Sequence, residues 1–360
     1  MRRGLVLLLS LAAGCDQCAG LPSGWALLRD NEPGALLSVR VQDGVVWISG
    51  GDPDGVDGPA TGTLLVDDDP SDDVDFEAVD TGLQGDFWWV HPVSGTVAFV
   101  GGSFGRVVRV DRSTSPVQID VLTTPATDAN DPDIVVFGVY ATIAADGSDE
   151  HDVWAVGGRT GGSVGGFAWH KRGDAAFVDV AVPSAVEGYA LWKVDGRRRG
   201  PDADGVDDVW MVGTNGQTFH VEGVDGADNQ LVAVPTGLNT SLFTVDVNDD
   251  GAVAVGGLGR GLVVSRGTDA GTPWQDITPG DTTPSLLGVH RGLDEGLVVG
   301  SAGAAFRLRD GVMTPEVFGF PMFQSLHSAF VDDDSGLAWA VGGQLTSIPL
   351  RSGVLLRRAP

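Results

Sequence analysis

The chain has 360 residues, which is enough for two average domains or one large one. Its net charge of -27, from 49 acidic and 22 basic residues, argues against binding to nucleic acid or to anionic lipid headgroups, because both need clustered Lys and Arg. Only 7 of the 49 acidic residues are Glu, leaving 42 Asp, and with 54 glycines that lack a three-residue period this indicates many tight turns and an all-β protein rather than collagen.

The chain begins with the pattern of a secretory signal. Two arginines precede an apolar run of about ten residues, Leu5–Ala13, whereas a helix that spans a bilayer needs roughly 20. The segment Leu11–Cys15 resembles the lipobox of bacterial lipoproteins, although Leu is usual at the place of Ala12. The resemblance implies cleavage before Cys15, a diacylglycerol on its sulfur and acylation of its new amino group. Several acyl chains on one residue give stable anchoring.

These features predict a signal peptide over residues 1–14, a tether over residues 15–23 and an extracytoplasmic protein held at a bacterial membrane. The sequence leaves open which membrane this is. The alternative is ordinary secretion, with Cys15 and Cys18 paired as a disulfide in an oxidising compartment.

After the tether, one pattern recurs seven times: an apolar strand, an Asp/Gly turn, and a second apolar strand that ends in Gly. The second strands are Val45–Gly50, Val97–Gly101, Val153–Gly157, Val209–Gly213, Ala252–Gly256, Gly296–Gly300 and Ala338–Gly342. Their terminal glycines are 42 to 56 residues apart, the length of a four-stranded propeller blade. The repeats predict one seven-bladed β-propeller of four-stranded antiparallel blades over residues 24–360.

The second strands are apolar on both faces, so both faces must be covered by neighbouring blades. Three places before the terminal Gly stand Trp47, Ala98, Trp154, Trp210, Val253, Leu297 and Trp339. Repetition at one register predicts one structural position, namely the packing surface between blades. The competing interpretation is an exposed aromatic platform for sugars.

Which terminal segment closes the ring is open at this stage. Trp25–Leu28 precedes Leu36–Val39, the innermost strand of the first blade. The outer strand of a preceding blade would stand in this place, so Trp25–Leu28 could complete the last blade. Val354–Leu356 could fill the same position.

The segments Asp152–Gly158 and Asp208–Gly213 resemble the repeats of bacterial extracytoplasmic propeller lipoproteins, and also those of photosystem assembly-factor and BNR-type propellers. Gly267–Trp274 is a degenerate copy of the BNR Asp box that keeps its Asp, Gly and Trp. The resemblance implies the fold strongly and a function only weakly, since one fold carries many functions.

The BNR resemblance implies an alternative function, that of a hydrolase acting on glycans or another cell-surface polymer. Sialidase chemistry needs an arginine cluster, a Tyr nucleophile and a Glu partner, but the two tyrosines, Tyr140 and Tyr189, and the seven Glu have no recognisable setting. The six histidines show no metal-ligand spacing, and both cysteines lie in the tether. The sequence therefore predicts no catalytic residue.

Calcium is the one metal that the sequence suggests. Asp246, Asn248 and Asp250 are short oxygen ligands at alternate positions before Gly251, as in loops that wrap a hard cation. The later ligands of such loops are missing, because Ala254 and Gly257 stand in their places. The alternative is a plain acidic hairpin turn.

The inner strands end at one register with residues that would circle a mouth of the central channel, where propellers often bind ligands. These residues are Arg40, His91, Tyr140, Asp195, Asp246, His290 and Phe330. The alternative is that they are solvated strand ends.

The leading hypothesis is a non-catalytic, lipid-anchored monomer that binds or scaffolds an envelope protein or glycan, and the alternative is the BNR-type hydrolase. Carboxylates and arginines clustered at a channel mouth would favour the enzyme. An apolar patch on the rim would favour the binding protein.

Overall fold

The computed structural model describes residues 24–54, 60–70, 75–126, 130–143, 151–160, 165–183, 190–197, 208–222, 230–268, 271–346 and 349–360. They form seven four-stranded antiparallel sheets, which confirms the predicted propeller. Helix is confined, in these segments, to the two 3-10 turns Thr214–Gly216 and Ser301–Gly303, and none of their helices is long and apolar enough to cross a membrane.

The strands occupy four positions in the blades. The inner strands, which contact one another around the channel, are β2 (Leu36–Gln42), β6 (Phe87–Pro92), β10 (Ile134–Ile143), β14 (Leu191–Arg197), β18 (Leu242–Asn248), β22 (Leu286–Arg291) and β26 (Ser325–Val331). The second strands are β3 (Val45–Gly50), β7 (Val97–Gly102), β11 (His151–Arg159), β15 (Asp208–Gly213), β19 (Gly251–Gly256), β23 (Gly296–Gly300) and β27 (Ala338–Gln344). The third strands are β4 (Thr63–Asp67), β8 (Arg106–Asp111), β12 (Phe167–Arg172), β16 (Thr218–Glu222), β20 (Leu262–Arg266), β24 (Ala305–Arg309) and β28 (Arg351–Arg358). The outer strands are β5 (Glu77–Ala78), β9 (Gln118–Val121), β13 (Val178–Val180), β17 (Gln230–Ala233), β21 (Gln275–Asp276), β25 (Val312–Pro315) and β1 (Trp25–Gly34).

Strand β1 closes the ring. The seventh sheet has the order β1, β28, β27 and β26, so the first strand of the chain is the outer strand of the last blade. Val354–Leu356 belongs to β28, the third strand, and pairs with β1 on one side and β27 on the other. Both candidate segments are thus used, in different positions.

The core lies between the blades, as predicted from the apolar second strands. Trp47 packs with residues of the second blade, Trp154 with the fourth, Trp210 with the fifth and Trp339 with the first, each on the blade that follows its own. All four side chains are at most 5% exposed, so they are packing residues and do not form an exposed platform.

The predicted register of the second blade was wrong by one residue. Phe87 pairs with Gly102, as Leu36 pairs with Gly50 in the first blade, so the terminal glycine of β7 is Gly102. Phe99 then occupies the tryptophan position instead of Ala98, and it packs against the third blade. Gly101 and Gly102 both follow the apolar run. Taking Gly101 as the terminal glycine shifted the predicted alignment of this strand by one residue.

The terminal glycines are required because the inner strand of the same blade lies too close for a side chain. A Cβ on Gly256 would lie 2.1 Å from the Ser241 carbonyl oxygen, and one on Gly300 would lie 2.2 Å from that of Ser285. Such distances exclude any other residue without a backbone shift, which explains why the strands end in Gly.

In two blades, an Asp-Val-Trp motif builds a buried polar contact beside the core. His220 stacks on Trp210 with ring centres 4.6 Å apart, and its Nε2 lies 2.7 Å from Asp208 Oδ1. In the third blade, His170 stacks in the same way on Trp154 at 4.1 Å and contacts Asp152. The Asp of the motif therefore holds a histidine of the third strand against the tryptophan.

The ring has two unlike faces. The top face is the end at which the inner strands begin, and the bottom face is the end at which they finish. The chain enters β1 at the bottom face, where Trp25 pairs with Arg358 and the Gly24 carbonyl accepts a hydrogen bond from the Ala359 N–H at 3.1 Å. Gly24, the first described residue, therefore lies at the bottom face.

Candidate functional site

The predicted channel residues lie at one register, and their side chains are buried inside the ring. Arg40, Tyr140, Asp195 and Asp246 are 3–9% exposed, and each pairs with a core residue of the second strand. His91, His290 and Phe330 occupy the same position and are partly buried. They are therefore lining residues of the channel and not solvated strand ends on its rim.

Several of these side chains join one blade to the next. Asp195 Oδ2 accepts a hydrogen bond from the Val247 N–H at 2.9 Å, and Asp246 Oδ2 accepts one from the Arg291 N–H at 3.0 Å. His290 Nδ1 accepts one from the Val331 N–H at 3.1 Å. The contact repeats from the fourth blade to the seventh, so these polar groups hold the inner strands together.

Burial shifts the pKa values of the channel groups strongly. Burial, followed by repulsion from Asp246, raises the pKa of Asp195 to about 7, while Arg40 opposes the rise. Burial lowers the pKa of His91 to about 3, and those of His290 and His327 to about 4. Burial therefore favours the neutral forms of the Asp195 carboxyl and of these three imidazoles.

An Asp195→Asn variant should gain stability over the wild type as the pH rises. The folded-state pKa of Asp195 lies above the unfolded value of about 3.9, so its stabilising contribution is complete below about pH 4 and is lost as the pH rises to 7. Asn stays neutral and can still accept the Val247 hydrogen bond. Urea unfolding should give equal stabilities near about pH 4 and a gain on the order of 2 kcal/mol above about pH 7.5. A difference that does not change with pH would contradict this.

The sequence analysis missed a second set of channel residues, one layer nearer the top face. Lys193 is 2% exposed; its Nζ donates to the Phe137 carbonyl at 2.9 Å and lies 3.4 Å from the ring centre of Trp89. The guanidinium carbon of Arg40 lies 4.4 Å from the same ring centre. Nothing in the strand pattern distinguishes Lys193 from an outward-facing lysine, so only the ring reveals that it is buried.

A collar of large side chains surrounds the top mouth of the channel. Every inner strand has a bulge directly after the residue that pairs with the terminal glycine of the second strand. The bulged residues form the collar: Leu37, Trp88, Phe137, Trp192, Phe243, Leu287 and His327. Neighbouring rings touch: Phe137 and Trp192 have centres 4.7 Å apart, and Trp88 and Phe137 5.1 Å apart. Trp88, Trp192, Phe243, Leu287 and His327 remain partly exposed.

The collar continues onto an apolar part of the top face. The top-face loops 234–241 and 317–324 contain no charged residue, and Leu258 and Phe323 are 75% and 82% exposed on this face. Other loops of the top face expose Asp54, Asp80, Asp133 and Asp281, and the bottom face exposes more carboxylates. Its turns expose Asp43, Asp68, Asp69, Asp249, Asp250, Asp294, Asp310, Asp333 and Asp334. The apolar rim is the feature that favours a binding protein over an enzyme.

The candidate calcium residues have other partners. Asp246 accepts the Arg291 N–H inside the channel, with Arg291 Nε 3.6 Å from its carboxylate, whereas Asn248 Oδ1 caps the hairpin by accepting the Asp250 N–H at 2.9 Å. No group of three His, Cys, Asp or Glu with metal-binding geometry occurs in the part of the chain that the structure describes. Calcium binding stays a prediction that these contacts do not test.

The predicted lipidation site and part of the degenerate Asp box lie outside the residues that the structure describes. Cys15 lies outside the described residues, as does Asp269 of the degenerate Asp box. Trp274, the last residue of that box, donates from Nε1 to Thr218 Oγ1 at 3.1 Å and meets Trp210 edge to face at 5.6 Å. This tryptophan therefore contributes to packing between the fourth and fifth blades.

Comparison with known proteins finds similarity of structure alone. No protein-family model matches the chain, and no curated protein matches it. Similar solved structures include the RRP9 WD40 repeats, with a TM-score of 0.66 and 12% identity over 93% of this chain and 97% of that one. They also include YCF48, a photosystem assembly factor, from Cyanidioschyzon merolae (TM-score 0.62, 12% identity, 93% and 98% covered) and YCF48 bound to a D1 peptide (0.62, 12%, 94% and 97%). At these identities the similarity shows the fold: the chain is a β-propeller.

Proposed function

We propose that the chain is a lipid-anchored, non-catalytic propeller of the bacterial envelope that binds a partner protein through its top face. The observation that carries the proposal is the partly exposed collar at the top mouth of the channel, together with the two uncharged loops 234–241 and 317–324 on the same face. Exposed apolar surface of this kind marks interaction sites on proteins. YCF48, a structure of the same fold, has been solved with a D1 peptide bound, which agrees with a protein partner.

The direction of β1 supports this division of the two faces. A lipid on Cys15 would be joined to the bottom face through residues 15–23, which span at most about 30 Å when extended. The acidic bottom face would then be turned towards the membrane. The collar would be turned away from it, where a partner can reach it.

The alternative, a glycan-acting hydrolase, is less well supported. Asp195 and Asp246 are the two carboxylates that most resemble a catalytic pair. Both, however, are at most 9% exposed and accept backbone hydrogen bonds from the next blade. A general acid or base must reach the proton that it transfers. These two carboxylates are engaged in holding the ring together.

Photo-crosslinking in living cells tests the binding face. A photoreactive residue replaces Leu258 or Phe323 on the top face, or Leu293, which is 84% exposed on the bottom face, as the matched control. We expect a crosslinked protein from the two top positions only. Adding Phe243→Ser in the collar should abolish that product. Equal crosslinking from Leu293, or a product unaffected by Phe243→Ser, would refute the proposed face.

The lipid anchor is tested through the two cysteines. Cys15→Ser should move the protein from the membrane fraction to the soluble fraction and abolish labelling by a radioactive fatty acid. Cys18→Ser is the matched control, because it changes the only other cysteine, and it should stay at the membrane. A wild type that takes up no labelled fatty acid would contradict the anchor and favour ordinary secretion.

A further inference from the structure

The buried ammonium beneath the collar is unusual for this chain. Only two of its 22 basic residues are lysines, Lys171 and Lys193, and Lys193 is buried inside the channel. Arg40 lies beside it on the same Trp89 ring. Burying a charge costs several kcal/mol unless partners compensate, so two basic side chains at one ring indicate a place suited to an anion.

Two buried polar atoms of this region have no hydrogen-bond partner, and Lys193 has more N–H groups than the one acceptor found for it. The Lys193 ammonium has three N–H groups, and the Phe137 carbonyl accepts one of them. Trp192 Nε1 in the collar and Ser38 Oγ, one layer below it, are buried and have no hydrogen-bond partner. Asp195 and Asp246 act on Arg40 only through their charge, because their hydrogen bonds go to backbone N–H groups of the next blades.

We infer that the top mouth of the channel binds a carboxylate carried on an apolar group. The carboxylate accepts hydrogen bonds from Lys193 Nζ and Trp192 Nε1, and the apolar group packs against the collar. A carboxylate has acceptors and no donors, which is what unpaired donors require. A doubly charged phosphate would suit the mouth less well, since burying a second negative charge costs more.

The electrostatics of Lys193 agree with this ligand. Burial, followed by repulsion from Arg40, lowers the pKa of Lys193 well below its usual value. A bound carboxylate would stabilise the ammonium form, and the pair would be shielded from water by the collar, where a charge-assisted hydrogen bond is strong.

The ligand chemistry has two sources, a free organic acid or the carboxyl end of a polypeptide with an apolar last residue. The inference rests on the proposed function only for the choice of the top face, and it does not depend on the lipid anchor. Crosslinking could succeed where carboxylate binding fails, so the two failures are distinguishable.

The test measures binding to the full chain by tryptophan fluorescence and calorimetry, with paired probes that differ only in charge. Phenylacetate is compared with phenylacetamide, and a pentapeptide ending in phenylalanine with its amidated form. We expect the acid of at least one pair to bind about tenfold or more tightly than its amide, as a charge-assisted hydrogen bond provides. Saturation by phenylacetate identifies a free acid as a sufficient ligand, and saturation by the peptide alone identifies a polypeptide terminus.

Variants assign the preference to Lys193. Lys193→Met should bind acid and amide equally. The ratio of these two affinities does not depend on small changes in packing, because both probes have the same apolar group. Trp192→Phe keeps the aromatic ring but loses the donor, and it should reduce the preference severalfold. Lys171→Met, which changes the only other lysine, should leave the preference intact. Thermal melting confirms that each variant is folded.

Three results would overturn the inference. These are no saturation by either acid, equal binding of acid and amide by the wild type, and an undiminished preference for the acid in folded Lys193→Met. If only Lys193→Met fails to fold, the ratio measured with Trp192→Phe decides instead.

Discussion

Trp154→Ala is expected to lower the free energy of unfolding by about 3–5 kcal/mol, because it leaves a large cavity between the third and fourth blades. Trp154 is 3% exposed and packs with Val209, Met211 and other residues of the next blade. The substitution also removes the ring on which His170 stacks at 4.1 Å. Because a typical domain has only about 5–15 kcal/mol of stability, the ring should be close to unfolding.

Thermal and urea unfolding measure the loss. Phe323→Ala is the matched control, since it removes an aromatic ring that is 82% exposed and should change the stability by no more than about 0.5 kcal/mol. A Trp154→Ala protein that melts like the wild type would contradict the packing role, and it would reopen the interpretation of these tryptophans as a sugar platform.

Glu316→Gln is expected to destabilise the ring by about 2–3 kcal/mol, because it removes one of the two carboxylates of a buried ion-pair network at the closure, while Glu295 still pairs with Arg358. Glu316 Oε1 lies 3.1 Å from Arg358 Nη1 and 2.7 Å from Arg307 Nη2, and Glu316 Oε2 accepts a hydrogen bond from Trp25 Nε1 at 3.3 Å. The Glu316 and Arg358 side chains are 9% and 8% exposed. Without the carboxylate, Arg358 remains as a buried cation with less compensation.

The network joins the sixth blade to both strands that close the seventh, so the loss should appear first at β1. Hydrogen exchange of the β1 amides should therefore speed up more than that of the third blade. The matched control is Asp281→Asn, which breaks the exposed pair with Arg260, whose side chains are 86% and 58% exposed. It should cost at most about 1 kcal/mol. Equal effects of the two substitutions would contradict the role of Glu316 in closure.

The strands could be predicted from sequence because their signal is local. A run such as Val298–Gly300, apolar on both faces and bounded by Asp/Gly turns, shows that both faces are covered without showing by what. The one error of register, in β7, arose where two glycines stood together and local pattern could not choose between Gly101 and Gly102. The pairing of Phe87 with Gly102 decides it.

The closure could not be predicted because Trp25–Leu28 and Val354–Leu356 are both apolar strands of similar length. The length of the segment between β27 and β28 decides which position each strand takes. A short segment joins the end of β27 at Gln344 to the start of β28 at Arg351, so the C-terminal segment pairs with β27 as the third strand. The outer position then remains for β1.

The candidate site was predicted in part. The repeat predicts that Arg40, Asp195 and Asp246 occupy equivalent positions around the channel. It does not predict that their side chains are buried. Arg40 donates to the Ala329 carbonyl, 289 positions away in the chain, and Asp195 accepts from Val247, 52 positions away. Contacts of this kind exist only once neighbouring blades have packed together.

The sequence by itself determined the number of blades, the second strand of each blade and, in all blades but the second, the core position held by tryptophan in four of them. These features depend on a repeat that each blade contains. Tertiary structure alone decided which strand closes the ring, which polar residues became buried in the channel, and that the bulged residues meet as a collar. The physical reason is that the channel has no counterpart within one repeat. Seven inner strands from across the whole chain create it, and only their assembly brings Lys193 beneath the rings of Trp192 and Phe137.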